Sequence, residues 1–191
     1  MNNLQKLSIL LFLVFSSVVN ASSNDTRIND FVTIVESGSK KEIKQACGSL
    51  RYAGLSDPKL FDYIEKKVLE KYKNENTEAV SWLIIALGFS GLEKYESTLE
   101  RIIEDDVNSA YTKHASDSLQ NIIWYEEWNP IISDKTHFNK NQTDEVNRFA
   151  NMLRSDQYLL MRLASKRIHY QRLYPEYLLD ILSEEIIAHY N

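Results

Sequence analysis

Four histidines, one cysteine and several adjacent carboxylates are the residues of this chain that invite chemistry, and their spacing argues against each in turn. His114 and Asp117 lie three apart, close enough on a helix to share a ligand. A zinc site needs further ligands, and neither an HExxH pair nor a second cysteine supplies them. His137 falls in a polar stretch, and His169 and His189 belong at the distal ends of adjacent antiparallel helices. Surface or capping roles outweigh catalysis for all four. Asp105-Asp106, Glu126-Glu127 and Glu184-Glu185 are sequence neighbours, so their side chains diverge around a helix. Glycoside hydrolysis needs two carboxylates facing each other across a cleft. No GxSxG elbow and no Gly-rich phosphate loop is present. Cys47 is the only cysteine, which excludes an intramolecular disulfide. It sits beside Ala46 in an apolar helical stripe and reads as a small buried hydrophobe. No catalytic residue, metal or cofactor follows from these groups.

Binding is better served. Trp124, Tyr125 and Trp128 stand together before Pro130. Large aromatics anchor interfaces, and they also fill gaps where a regular helix is lost. Glu93, Glu96, Glu100 and Glu104 recur at helical spacing, and a strip of like charge steers a partner of opposite sign. Glu93, Glu96, Glu100, Trp124 and Trp128 therefore form the candidate partner site, and a basic protein is the partner their chemistry suits.

The elements that must hold these side chains come from a repeat. One copy reads Ala46-Cys47-Gly48-Ser49-Leu50-Arg51-Tyr52-Ala53-Gly54-Leu55, followed by Leu60, Ile64 and Val68. The next reads Leu83-Ile84-Ile85-Ala86-Leu87-Gly88-Phe89-Ser90-Gly91-Leu92, followed by Tyr95, Leu99 and Ile103. Tyr52 and Phe89 are 37 residues apart, and so are Gly54 and Gly91. Ala115 and Leu119 begin a third copy, and Ala164, Ile168, Tyr170 and Leu173 a last one. Ser39 with Glu42, Asp57 with Pro58, and Thr77 supply helix starts. Between the third and last copies the chain departs from the pattern, with an irregular insert expected at about 126–142. One helix pair cannot bury its own apolar stripe, so successive pairs must stack.

Ala86-Leu87-Gly88-Phe89-Ser90-Gly91-Leu92 resembles the turn of the HEAT-repeat family, together with its Armadillo-like helical-repeat relatives. The resemblance covers roughly residues 40–122 and, less closely, 155–190. It implies an all-α fold, a short right-handed α-solenoid of about four stacked helix pairs, and a protein-binding or scaffolding role. The motif carries no catalytic residues.

The ends and the charge narrow the setting. Lys6, the apolar run Leu7–Phe15 and Val19-Asn20-Ala21 read as a signal peptide cut after Ala21. The run is shorter than the roughly 20 residues that span a bilayer. Residues 22–191 are then one exported helical-repeat domain, periplasmic in a Gram-negative host and secreted otherwise, with no stable membrane insertion. Loss of the leader removes Lys6 and no acid, taking the net charge from −5 to −6. Phosphate backbones bind through basic side chains that release counterions, so nucleic acid is a poor partner. The same features permit an inhibitor or immunity-type protein that neutralises a secreted effector, or a hydrolase or lyase on a helical scaffold.

Overall fold

In the computed structural model, which describes residues 24–190, every regular element is helical. The expected leader, residues 1–21, lies outside the described residues. The helices are α1 (Asn24–Ser37), α2 (Lys40–Leu50), α3 (Pro58–Lys71), α4 (Glu78–Gly88), α5 (Glu96–Asp105), α6 (Ser109–Ser133), α7 (Asp144–Leu153), α8 (Tyr158–Gln171) and α9 (Glu176–Tyr190). A 3-10 turn at Glu93–Tyr95 leads into α5. No described helix is long and apolar enough to cross a membrane.

The helix starts follow from local chemistry. Ser39 Oγ accepts the Glu42 N–H at 3.3 Å, and the Glu42 carboxylate accepts the Ser39 N–H at 2.6 Å. Two otherwise orphaned donors are thereby satisfied at the head of α2. The Asp57 carboxylate accepts from Lys59 N–H at 2.9 Å, and Pro58 takes the first helical position, where no donor is needed. Thr77 and Thr143 cap α4 and α7, each accepting an N–H three residues on at 3.3 Å.

The described chain divides into two compact units. The break falls where α6 gives way to a polar loop, at Ser133 and Asp134. The first unit is residues 31–133. In it α4 packs against α2, α3 and α6, and α6 packs against α5. One layer buries Ala46, Cys47 and Leu50 of α2, Leu83, Ala86 and Leu87 of α4, and Ala115 and Ile122 of α6. The other buries Phe61, Ile64 and Val68 of α3 with Tyr95, Leu99 and Ile102 around α5. Cys47 is wholly enclosed, and burial pushes its thiol pKa far up.

Polar side chains cross between successive helix pairs at a nearly fixed interval. Tyr95 donates to Asp62 at 2.8 Å and Thr98 to Glu65 at 2.5 Å, each across 33 residues. Ser118 donates to the Ile84 carbonyl at 3.1 Å, and Lys44 pairs with Glu78 at 2.9 Å, each across 34 residues. The two turn glycines are required twice over. Gly54 and Gly91 hold φ at 61° and 63°, and α6 runs directly past both. A Cβ on Gly91 would sit 2.5 Å from Glu126 N, and one on Gly54 2.8 Å from Ser133 N.

That passage of α6 corrects the expected insert at 126–142. The helix continues unbroken from Ser109 to Ser133 with Pro130 inside it, and only residues 134–143 are irregular. Proline in a helix interior costs about 3 kcal/mol. Burying Tyr125, Trp128 and Ile132 along the same stretch outweighs that cost. At about 25 cal/mol per Å² and 150–250 Å² per aromatic, each ring contributes up to roughly 4–6 kcal/mol. Packing decides the local structure here.

The second unit comprises residues 134–190 with the start of α1 up to Asp30. α7 packs against both α8 and α9 and buries Val146, Phe149, Ala150 and Leu153. The 134–143 loop is tied to it by amides. Asn147 Oδ1 accepts the Asn139 N–H at 2.8 Å, its Nδ2 donates to the Asn139 carbonyl at 3.0 Å, and Asn151 Nδ2 donates to the Asp134 carbonyl at 2.6 Å.

Candidate functional site

Residues 123–129 of α6 gather aromatic and polar contacts in the first unit. Trp124 stacks on Trp128 with ring centroids 5.6 Å apart and planes at 19°. Tyr125 meets Trp128 edge-on at 5.3 Å and Phe89 at 5.1 Å, and the Arg51 guanidinium lies 5.0 Å over the Phe89 ring. Tyr125 Oη donates to the Arg51 carbonyl at 3.1 Å, which satisfies a buried hydroxyl. Helical spacing explains the division of labour. Tyr125, Trp128, Asn129 and Ile132 face inward, while Ile123, Trp124 and Glu127 face out.

The two tryptophans therefore do different jobs. Trp124 is 38% exposed and offers one ring face to solvent beside Ile123, which is 56% exposed. Trp128 is 6% exposed, so it backs Trp124 and cannot itself meet a partner. The expectation of two presented indoles is corrected to one, because residue 128 falls on the buried stripe of a helix that continues through the segment.

Asn129 holds this arrangement to the turns beside it. Its Nδ2 lies 3.0 Å from each of four oxygens, the carbonyls of Leu55, Phe89 and Ser90 and the Ser56 hydroxyl. Four acceptors around one NH2 fix the amide's orientation, since a flip would aim oxygen at oxygen. One side chain thus joins the turn after α2, the turn after α4 and the body of α6. Asn129 was missed in the sequence because Asn-Pro reads as a loop; the signal available was its place four residues after Tyr125 on an apolar stripe.

The acidic side chains lie on neighbouring ground, since α5 packs against α6. Glu93 on the 3-10 turn and Glu100 on α5 are exposed, and Glu96 is half-buried. None of the three, nor Glu104, has a hydrogen bond or ion pair among the described residues. Two of the nearby lysines are already engaged, which leaves Arg101, exposed on α5 between Glu100 and Glu104, as the one local counter-charge without an ion pair among the described residues. Lys94 pairs with Asp62 at 2.5 Å and Lys73 with Asp105 at 2.7 Å. Lys94 and then Tyr95 hold the Asp62 carboxyl below its usual range, and Lys73 and then Tyr72 do the same for Asp105. A strip of four glutamates with a single arginine among them remains, and it is net negative.

The histidine hypothesis gains nothing from the geometry. Asp117 pairs with Lys113, its neighbour one turn back. Burial, and next the Lys113 charge, lower the His114 pKa from its ordinary 6.5, with Asp117 opposing. Among the described residues no three His, Cys, Asp or Glu side chains gather to hold a metal ion.

No family model, curated protein or solved structure matches this chain. What it does has to be read from its own surface.

Proposed function

We propose that this chain is an exported protein-binding or scaffolding module whose HEAT-like stacked hairpins present an acidic strip and one indole face to a basic partner. The crossings at 33 and 34 residues support the stacking, because side chains of one pair meet those of the next at an interval a little shorter than the 37-residue spacing of the turns. The observation that carries the binding reading is the imbalance around α5. Lys94 and Lys73 are committed to Asp62 and Asp105, while Glu93, Glu96 and Glu100 stay unpaired on and just before α5, the helix packed against the α6 that carries the half-open Trp124–Trp128 stack. Unpaired surface charge speeds the encounter with a partner of opposite sign, and a rigid exposed indole gives that encounter a hydrophobic anchor.

The test uses a photo-reactive group at Trp124 or Ile123, cross-linked in the native compartment, followed by mass spectrometry. One dominant basic partner is the expected product. Changing Glu93, Glu96 and Glu100 to Gln should then weaken its capture about ten-fold at low salt. The melting temperature should hold, because exposed substitutions of this kind change stability by about 0.5 kcal/mol or less. Undiminished capture by the triple variant would remove the acidic strip from the reading. N-terminal sequencing of the protein from its host should begin at Ser22; a chain retaining Met1–Ala21 would count against export.

A further inference from the structure

We propose that the α8–α9 hairpin is a two-fold interface between copies of this chain. Both helices rest on α7, α8 through Leu160, Ala164 and Ile168 and α9 through Leu178 and Ile181. Their opposite sides carry a concentration of exposed apolar surface. Of the ten large hydrophobic side chains left exposed among the described residues, six are Tyr158, Leu159, Tyr170, Tyr174, Leu179 and Ile187. Soluble monomers seldom leave such a patch open. On α8, Leu159, Arg162, Lys166 and Tyr170 line up away from the buried stripe, with the Lys166 ammonium 5.9 Å over the Tyr170 ring. On α9 the corresponding outer stripe is Glu176, Leu179, Asp180, Ser183 and Ile187.

Charge identifies the occupant. On their exposed sides α8 carries Arg162 and Lys166 and no acid, while α9 carries Glu176, Asp180 and Glu184 and neither Lys nor Arg. One hairpin thus sets a positive stripe beside a negative one. A two-fold axis brings the same patch of each copy together, and one running along the hairpin between its two helices lays α8 of one copy on α9 of the other twice over. Positive then meets negative in both contacts, and the leucine, isoleucine and tyrosine side chains between the charges leave water together. Another protein would need the complementary pair of stripes; a second copy of this chain already has it.

Sedimentation equilibrium of the full chain from about 1 to 200 µM should show a monomer–dimer equilibrium. R162E/K166E makes both helices negative, and E176K/D180K/E184K makes both positive. Each variant alone should self-associate about 100-fold more weakly than wild type. An equimolar mixture should recover the dimer, since both contacts are then of opposite sign, and that recovery itself shows both variants folded. The milder R162Q/K166Q should fall between wild type and R162E/K166E. Wild type remaining monomeric throughout, either charge-reversed variant dimerising as wild type does, or a mixture that stays monomeric would overturn the proposal.

Discussion

A methyl group added at Gly91 would meet the Tyr125 and Glu126 backbone at 2.5 Å while the chain holds φ at 63°. Added at Gly48, inside α2, it would meet only the Trp82 ring at 3.7 Å. The two substitutions should move stability in opposite directions. Gly91→Ala combines strain with a backbone clash and should cost about 3 kcal/mol or more in urea unfolding. Gly48→Ala should stabilise by about 0.5–1 kcal/mol, because it restrains the unfolded chain at a helical position with room for the side chain. Asn129 permits a sharper test of polar geometry. Its amide nitrogen faces four oxygens at 3.0 Å, so Asn129→Asp would aim a buried carboxylate at acceptors. Asn129→Asp should therefore destabilise by more than about 3 kcal/mol at neutral pH, and by more than the uncharged Asn129→Leu does. Equal losses in the two variants would show that volume, and not the hydrogen-bond pattern, matters there.

The length of α6 is the main point on which sequence and structure part. Its first half repeats the spacing of α2 and α4 and was legible for that reason, as were the Ser39, Asp57 and Thr77 starts and the turns at Gly54 and Gly91. Its second half was not, because Trp124-Tyr125-Glu126-Glu127-Trp128-Asn129-Pro130 combines weak helix formers with a helix breaker. Only the turns it packs against, contributed from more than 30 residues away, show why the helix persists. α7 had a legible start in Thr143 and an apolar face in Val146, Phe149, Ala150 and Leu153, hidden beside the polar stretch before it. The candidate site was legible as residue types and not as roles, since one tryptophan lies on the outer face of α6 and the other on the inner. Alanine substitution separates them. Trp128→Ala should cost about 3–5 kcal/mol, as for a buried aromatic, and Trp124→Ala about 1 kcal/mol or less in thermal or urea unfolding. Similar values for the two would mean that residues 124–128 do not form the helix described.

Across the whole molecule, the carboxyls with lowered pKa values set the response to acid. Glu36, Glu42, Asp62, Glu78 and Asp105 all lie below their ordinary values, held there by Lys67, the Ser39 N–H, Lys94, Lys44 and Lys73 respectively. A lowered carboxyl pKa means that the unfolded chain binds protons first. The stability these groups provide is complete above the ordinary values of 3.8–4.5 and is lost as pH falls through the lower, folded ones. Each group is well solvated, so the individual contributions are small and the decline should be gradual. Thermal midpoints should ease down slightly between about pH 7 and 5, where the lowered His114 pKa lets the unfolded chain take the proton first, and fall steadily below about pH 4; a midpoint that rises on acidification would reverse the sign argued here. The enclosed Cys47 also gives the protein a built-in stopwatch. A maleimide or disulfide reagent can reach that sulfur only when α2 comes away from its neighbours, so the rate of labelling without denaturant counts the openings of this layer. Residues whose substitution speeds the labelling are then identified as the ones that keep the layer shut.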